Sequence, residues 1–153
     1  LAPTRELVHQ ISDFLRQLTE KERGVGVVSI VGGAPMRRQL DQLKRGPRII
    51  VATPGRLIDH LKRKSLRPQP ISTLVLDEAD RMLDMGFAPQ LDTILEYLPR
   101  ERQTSLISAT LPPRVRALAG KYLKNPAQVT IGSDSKPSRL TTFTEDAPKG
   151  SAT

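Results

Sequence analysis

Three carboxylates stand within four positions, directly after a short apolar run. Asp77, Glu78 and Asp80 follow residues 74–76, which are all aliphatic. Carboxylates this close repel one another and are costly to bury alone, so a cation or a set of donors is expected beside them. Mg²⁺ meets this need, because it binds one or two carboxylates, often through water, together with the phosphates of a nucleotide. Asp77 would then hold the ion and Glu78 would orient or deprotonate the attacking water, unless Asp77 and Asp80 merely cap a helix.

Two hydroxyls flank a small residue after the next apolar run, in the tripeptide Ser108-Ala109-Thr110. Hydroxyls placed there can hydrogen-bond toward an acidic group on a neighbouring strand and transmit its state along the sheet edge. The alternative is a helix cap before Pro112-Pro113. Taken alone, the tripeptide fits the cap better.

Two further segments combine a hydroxyl, a turn-forming proline and an arginine; they are Pro3-Thr4-Arg5 and Thr53-Pro54-Gly55-Arg56. Backbone N–H groups, hydroxyls and arginine together suit phosphate oxygens. The Gly32-Gly33 pair has no side chains, so another backbone can approach it closely. Capping and turn formation are the alternatives. Because none of these segments contains an aromatic residue, we expect contact with sugar and phosphate, without base stacking or sequence readout.

The elements that must position these residues are short aliphatic runs separated by segments of helical periodicity. The runs cover residues 25–31, 49–52, 74–76 and 106–107, and a further strand is expected at 128–131. Adjacent apolar residues indicate strands covered on both faces, as in a parallel sheet, and the alternation with helices predicts repeated βαβ units. Four of the motifs directly follow an apolar run: those at 32–33, 53–56, 77–80 and 108–110. Since ligands bind at the carboxyl ends of parallel strands, the motifs are predicted to share one edge.

Composition restricts the class of protein. The 153 residues carry a net charge of +8, and residues 1–68 hold 14 Lys/Arg against 6 Asp/Glu, whereas residues 69–153 hold 10 of each. The surplus favours a polyanionic partner, although charge runs on their own are more often a solvated surface. Cysteine is absent and no apolar run is long enough to cross a membrane, which fits an intracellular protein. Nucleus, nucleolus and cytoplasm remain equally open.

The motifs taken together resemble those of the DEAD-box RNA helicases of superfamily 2. In chain order they read "APTREL" at 2–7, "GG" at 32–33, "TPGR" at 53–56, "VLDEAD" at 75–80, "RMLDMGF" at 81–87 and "SAT" at 108–110. Order and spacing agree with the family from residue 2 to about residue 131.

This resemblance implies an α/β fold: a RecA-like open parallel sheet with helices on both faces, truncated at its N-terminus. It implies ATP and Mg²⁺ as cofactors and RNA as partner, with Asp77 holding the ion through water and Glu78 placing the hydrolytic water. Asp80, Ser108 and Thr110 would link the nucleotide site to RNA. The residues implied in RNA-backbone contact are Pro3, Thr4, Arg5, Gly32, Gly33, Thr53, Pro54, Gly55 and Arg56.

Other parts of the family pattern are absent from this sequence. It contains neither the phosphate loop G-x-x-x-x-G-K-[ST] nor the adenine-reading motif, and nothing aligns to a second RecA-like domain. We expect residues 1–132 to be a partial RecA-like domain and residues 133–153 a linker or tail. We therefore expect these 153 residues to be a piece of an ATP-dependent RNA helicase, and we expect the piece alone to be inactive.

Three other functions are compatible with some of the motifs. A DNA-directed helicase of superfamily 2 would share the hydrolytic chemistry. A non-catalytic RNA-binding or decoy module would use the basic first half alone. A magnesium-dependent nuclease could be built on Asp77, Glu78 and Asp80, but the remaining motifs would then have no role.

Overall fold

The computed structural model describes residues 1–131 and 140–144. Six helices and six strands occur in this part of the chain: α1 (Arg5–Leu18), β1 (Val27–Ile30), α2 (Met36–Lys44), β2 (Ile49–Ala52), α3 (Pro54–Lys62), β3 (Thr73–Leu76), α4 (Ala79–Asp84), α5 (Ala88–Tyr97), β4 (Gln103–Ser108), α6 (Pro113–Tyr122), β5 (Ala127–Ile131) and β6 (Leu140–Thr144). None of the helices in these ranges has the length and apolar character needed to span a bilayer.

The first four strands run parallel, as the apolar pattern predicts. β1 pairs with β2, and β3 pairs with β4. Leu1 and Ala2 join the two pairs, because the Ala2 N–H donates to the Ala52 carbonyl at 3.0 Å and the Asp77 N–H donates to the Leu1 carbonyl at 2.9 Å. The carboxyl ends of β1 to β4 therefore lie along one edge.

Helices cover both faces of β1 and β2. Alternate side chains divide between two clusters: Val28 and Ile30 join the main core, whereas Val31 and Val51 pack with α1. β3 differs from the two-sided burial predicted for it. Its Leu74 and Leu76 are buried, but Val75 on the opposite face is 40% exposed, and α1 packs on β1 and β2.

Two more strands complete the far side of the sheet. The strand predicted at 128–131 forms as β5, and it pairs with β6. β6 lies antiparallel between β4 and β5, and its residues belong to the segment 133–153 that the sequence predicts to be a linker or tail. Three of its five residues are threonines, whose β-branched side chains favour extended backbone. The rest of the predicted linker lies outside the described residues.

Candidate functional site

The sequence motifs meet at the carboxyl edge of β1 to β4 in two adjacent groups. The acidic group contains Asp77, Glu78, Asp80, Ser108 and Thr110 at the ends of β3 and β4. The phosphodiester group contains residues 3–5, 32–33 and 53–56 at the start of α1 and the ends of β1 and β2. Backbone hydrogen bonds unite the second group, since the Thr53 N–H donates to the Ile30 carbonyl at 3.0 Å. Leu1, between β2 and β3, connects the two groups.

Glu78 occupies an unusual backbone conformation at the first turn of α4. Its φ and ψ are 50° and 52°, the left-handed region that non-glycine residues rarely adopt. Its side chain pairs only loosely with Arg81, at 3.4 Å, and remains 41% exposed. A strained, accessible carboxylate at a strand end is typical of a functional position.

Replacement of Glu78 by glycine is expected to raise the free energy of unfolding by about 0.5–1 kcal/mol, because glycine adopts the left-handed conformation without a Cβ penalty. Urea unfolding of the 153-residue chain measures this. Glu78→Ala is the matched control, since it removes the same carboxylate and keeps the strain. Equal stability of the two variants would show that the backbone at this position is not strained.

Asp77 keeps part of its carboxylate available. Its Oδ1 accepts the Glu78 N–H at 2.9 Å, which fixes the side chain at the end of β3. Within the described ranges no group of three or more His, Cys, Asp or Glu side chains is placed to hold a metal ion. A single carboxylate such as Asp77 is enough for Mg²⁺ that is held through water and completed by phosphate oxygens.

Asp80 connects β3 to β4, as the sequence predicts. Its Oδ2 accepts the Thr110 hydroxyl at 2.8 Å and the Thr110 N–H at 3.1 Å. The Asp80 N–H donates to Ser108 Oγ at 3.2 Å, and that hydroxyl donates to the Thr110 carbonyl at 2.7 Å. The acidic turn and the Ser-Ala-Thr turn are therefore held as one unit.

These bonds govern the protonation of Asp80. Burial raises the pKa of its carboxyl, but hydrogen bonds from the Thr110 hydroxyl and the Arg81 N–H outweigh burial, and the net pKa lies below its usual value. A carboxylate with a lowered folded pKa stabilises the fold above its unfolded pKa, and this stability is lost as the pH falls through the folded pKa.

Removal of the Thr110 hydroxyl by Thr110→Val is expected to cost about 1 kcal/mol near neutral pH, because a hydrogen bond to a charged, partly exposed carboxylate is lost. The cost should shrink as the pH falls through the lowered folded pKa of Asp80, because the carboxylate is protonated there. Urea unfolding across this range measures it. Thr93→Val is the control, because the Thr93 hydroxyl donates to the Pro89 carbonyl and its loss should cost the same at every pH. A pH-independent cost for Thr110→Val would contradict the assignment.

The glycine pair divides into one constrained and one free position. Gly33 has φ of +77°, and a Cβ built there would overlap the guanidinium of Arg5. Gly32 has no such φ, and a Cβ there meets nothing within 4 Å. Gly33 thus allows Arg5 to lie across the loop that follows β1.

The other residues predicted to contact the phosphodiester backbone differ in how much of each side chain is exposed. Pro3 and Pro54 are buried, which gives them a structural role in the turns before α1 and α3. Thr4 Oγ1 accepts the Leu7 N–H at 3.2 Å as a helix cap, and its hydroxyl proton remains free to donate. Arg56 is turned inward: its Nη1 donates to the Ala34 carbonyl at 3.0 Å, and its side chain is 15% exposed.

Sequence reasoning missed two buried polar residues beside this group. Gln39 is 3% exposed and His60 is 0% exposed, and their side chains are hydrogen-bonded at 2.8 Å. No ligand-spaced partner accompanies His60 in the sequence, so its pattern there is that of an ordinary helical residue. The only signal in the sequence is the position of Gln39 beside the apolar stripe of α2.

Comparisons with known proteins agree with this arrangement. The DEAD/DEAH box helicase family model matches residues 1–118. The ATP-dependent RNA helicases DeaD of Klebsiella pneumoniae and of Escherichia coli (strain K12) are each 47% identical to this chain over 133 residues, 87% of this chain and 21% of theirs. The chain thus spans about a fifth of the length of these curated relatives.

Solved structures resemble it as well. A DEAD box protein from the hyperthermophile Methanococcus jannaschii superposes with a TM-score of 0.75 at 38% identity, over 80% of this chain and 33% of that one. The yeast DEAD-box splicing factor Prp28 superposes with a TM-score of 0.73 at 40% identity, over 78% of this chain and 29% of that one. The RecA-like α/β fold is thereby confirmed. The chain belongs to the DEAD/DEAH box helicase family.

Proposed function

We propose that this chain forms the part of an ATP-dependent RNA helicase in which ATP hydrolysis is coupled to RNA binding and local duplex unwinding. The observation that supports it most is the contact between Asp80 and Thr110, at 2.8 Å, because it ties the hydrolytic turn to the next strand of the same edge. The phosphodiester group lies on that edge too, across Leu1. A change at the nucleotide therefore has a short path to the polynucleotide.

On the nucleotide side, Asp77 is the proposed Mg²⁺ ligand through water, and the ion would neutralise charge on the ATP phosphates when bound. Glu78 orients the hydrolytic water and accepts its proton, for which its exposed carboxylate is placed at the open edge. Asp80, Ser108 and Thr110 transmit the state of this turn. A second RecA-like domain, with its own cationic groups, is the proposed partner across the edge.

On the polynucleotide side, Arg5, Thr4, Thr53 and the exposed glycine backbone contact sugar and phosphate. Gly33 and Gly55 are exposed at the ends of β1 and β2, where a phosphodiester backbone can approach closely. No aromatic side chain belongs to the group, which favours contact independent of base sequence. RNA is the proposed strand, and an intracellular location follows from that substrate.

A chimera tests this proposal. The aligned 133 residues of this chain would replace their counterpart in the E. coli helicase DeaD, with which they share 47% identity. We expect ATP hydrolysis by the chimera to be stimulated by single-stranded RNA, and less by DNA of the same sequence. A folded chimera that hydrolyses no ATP above background would contradict the enzyme function. Equal stimulation by DNA would favour a DNA-directed helicase.

A non-catalytic RNA-binding module is the second candidate, and the basic first half favours it. Residues 1–68 carry 14 Lys/Arg against 6 Asp/Glu. Such a module binds RNA with a salt-dependent affinity that ATP does not change. A salt titration of RNA binding by the chimera, with and without ATP, separates the two functions, because the helicase requires affinity to depend on the nucleotide.

A further inference from the structure

A buried run of hydrogen bonds connects α3, α2 and the end of β1. His60 Nδ1 and Ser65 Oγ are 2.8 Å apart, and His60 Nε2 lies 2.8 Å from Gln39 Oε1. The Gln39 amide nitrogen donates to the Val31 carbonyl, also at 2.8 Å. Val31 directly precedes the glycine pair.

The pattern assigns the protons. The Gln39 amide must donate to Val31, so its oxygen faces His60 and accepts a hydrogen from Nε2. His60 Nδ1 is then an acceptor, and the Ser65 hydroxyl shares its single proton between Nδ1, at 2.8 Å, and the His60 carbonyl oxygen, at 3.1 Å. Burial lowers the pKa of His60; the positive charges of Arg56 and Arg63 lower it further, and Asp59 opposes them. The imidazole is thus neutral at pH 7, and each of its nitrogens has a partner.

This network holds one end of the glycine loop while Arg56 holds the other. Gln39 binds the carbonyl of Val31, before the pair, and Arg56 binds the carbonyl of Ala34, after it. His60 and Arg56 both belong to α3, one turn apart. Two bonds that lead back to α3 therefore fix the loop that Arg5 crosses.

We propose that Gln39 and His60 are positioning residues for polynucleotide binding: they set the glycine loop against the start of α3 without touching RNA. This inference rests on the proposed function, since it concerns the same phosphodiester group. A carbonyl that loses its buried donor must find another, and the loop backbone has to move to do so. The spacing between Gly33 and Gly55 would then change.

The test uses Gln39→Leu, which keeps the volume of the side chain and removes both hydrogen bonds. Ser12→Ala is the matched control: Ser12 is 0% exposed and accepts a 2.8 Å bond from Ser29 on β1, away from the loop. Both variants should lower the melting temperature of the 153-residue chain, by about 2–8 °C. Only Gln39→Leu should accelerate amide hydrogen exchange at Gly32, Gly33 and Ala34, by about tenfold.

RNA affinity is measured on the same proteins with a single-stranded uridine oligonucleotide. We expect Gln39→Leu to weaken binding about three- to tenfold, and Ser12→Ala to leave it within about twofold. His60→Gln retains a donor toward Gln39 and should bind RNA more tightly than His60→Leu. This rescue is not expected from a role in stability alone.

Unchanged loop exchange in Gln39→Leu would overturn the positioning role, whatever the RNA result. Accelerated exchange with unchanged RNA affinity would also overturn it, because the loop would then move without consequence for binding. If the wild-type chain binds no RNA, the proposed function fails on that observation, and loop exchange still decides whether Gln39 holds the loop.

Discussion

Glu78→Gln in the DeaD chimera is expected to lower RNA-stimulated ATP hydrolysis by about 10²–10⁴-fold, because an amide cannot accept the proton of the attacking water. Glutamine keeps the shape and volume of the glutamate side chain, and Glu78 is 41% exposed, so the fold should be unaffected. RNA affinity should stay within about twofold, since the affected step is the chemical one. Steady-state phosphate release and fluorescence anisotropy measure the two quantities.

Asp84→Asn is the matched control for this change. Asp84 also lies on α4, is exposed, and pairs with Arg114 of α6. Its loss should cost little activity, because an exposed ion pair contributes about 0–1 kcal/mol to stability and Asp84 belongs to neither the acidic group nor the phosphodiester group. If Glu78→Gln retained wild-type turnover, or if Asp84→Asn lowered it equally, Glu78 would not be the hydrolytic carboxylate.

Gly33→Ala is expected to weaken RNA binding by about tenfold or more, whereas Gly32→Ala should change it less than about twofold. Gly33 has φ of +77°, and an added methyl group would displace the Arg5 guanidinium from its place across the loop. The affinity loss corresponds to one charge-assisted hydrogen bond to phosphate. Binding of a uridine oligonucleotide by the 153-residue chain, at constant salt, measures both variants.

Stability separates the two glycines as well. An alanine in the left-handed conformation is strained by about 1–2 kcal/mol. Gly33→Ala should therefore lower the free energy of unfolding by this amount, whereas Gly32→Ala should not. A second arginine variant, Arg5→Gln, tests the cause, since it should weaken RNA binding to about the same degree without the backbone cost. The account of Gly33 is contradicted if Arg5→Gln binds RNA as well as the wild type.

Much of this edge could be predicted from the order of residues along the chain. A parallel sheet places the ends of all its strands at one edge, so motifs following separate apolar runs had to meet there. The contact between Asp80 and Thr110 follows directly, because β3 and β4 are neighbours and each residue lies just past its strand. The left-handed backbone of Glu78 did not follow, since glutamate has no preference for it.

Other features depend on tertiary contacts that leave little trace in the sequence. Gln39 and His60 stand 21 positions apart, and neither alone differs from a solvated helical residue until α2 and α3 pack together. Arg56 is predicted to contact RNA because arginine suits phosphate, and its additional hydrogen bond to the Ala34 carbonyl does not follow from the sequence. β6 is inserted between β4 and β5, although its segment is only weakly apolar. Local strand propensity does not specify which strand edge such a segment pairs with.

Polynucleotide and nucleotide are both proposed to bind at the carboxyl edge of β1 to β4. The most direct test follows backbone amide shifts of the 153-residue chain by NMR during titration with a single-stranded uridine oligonucleotide. We expect the largest shifts at residues 4–5, 32–34, 53 and 55–56, with smaller ones at Asp80 and Thr110. Shifts concentrated on α5 and the C-terminal half of α6, with the edge unchanged, would contradict this proposal.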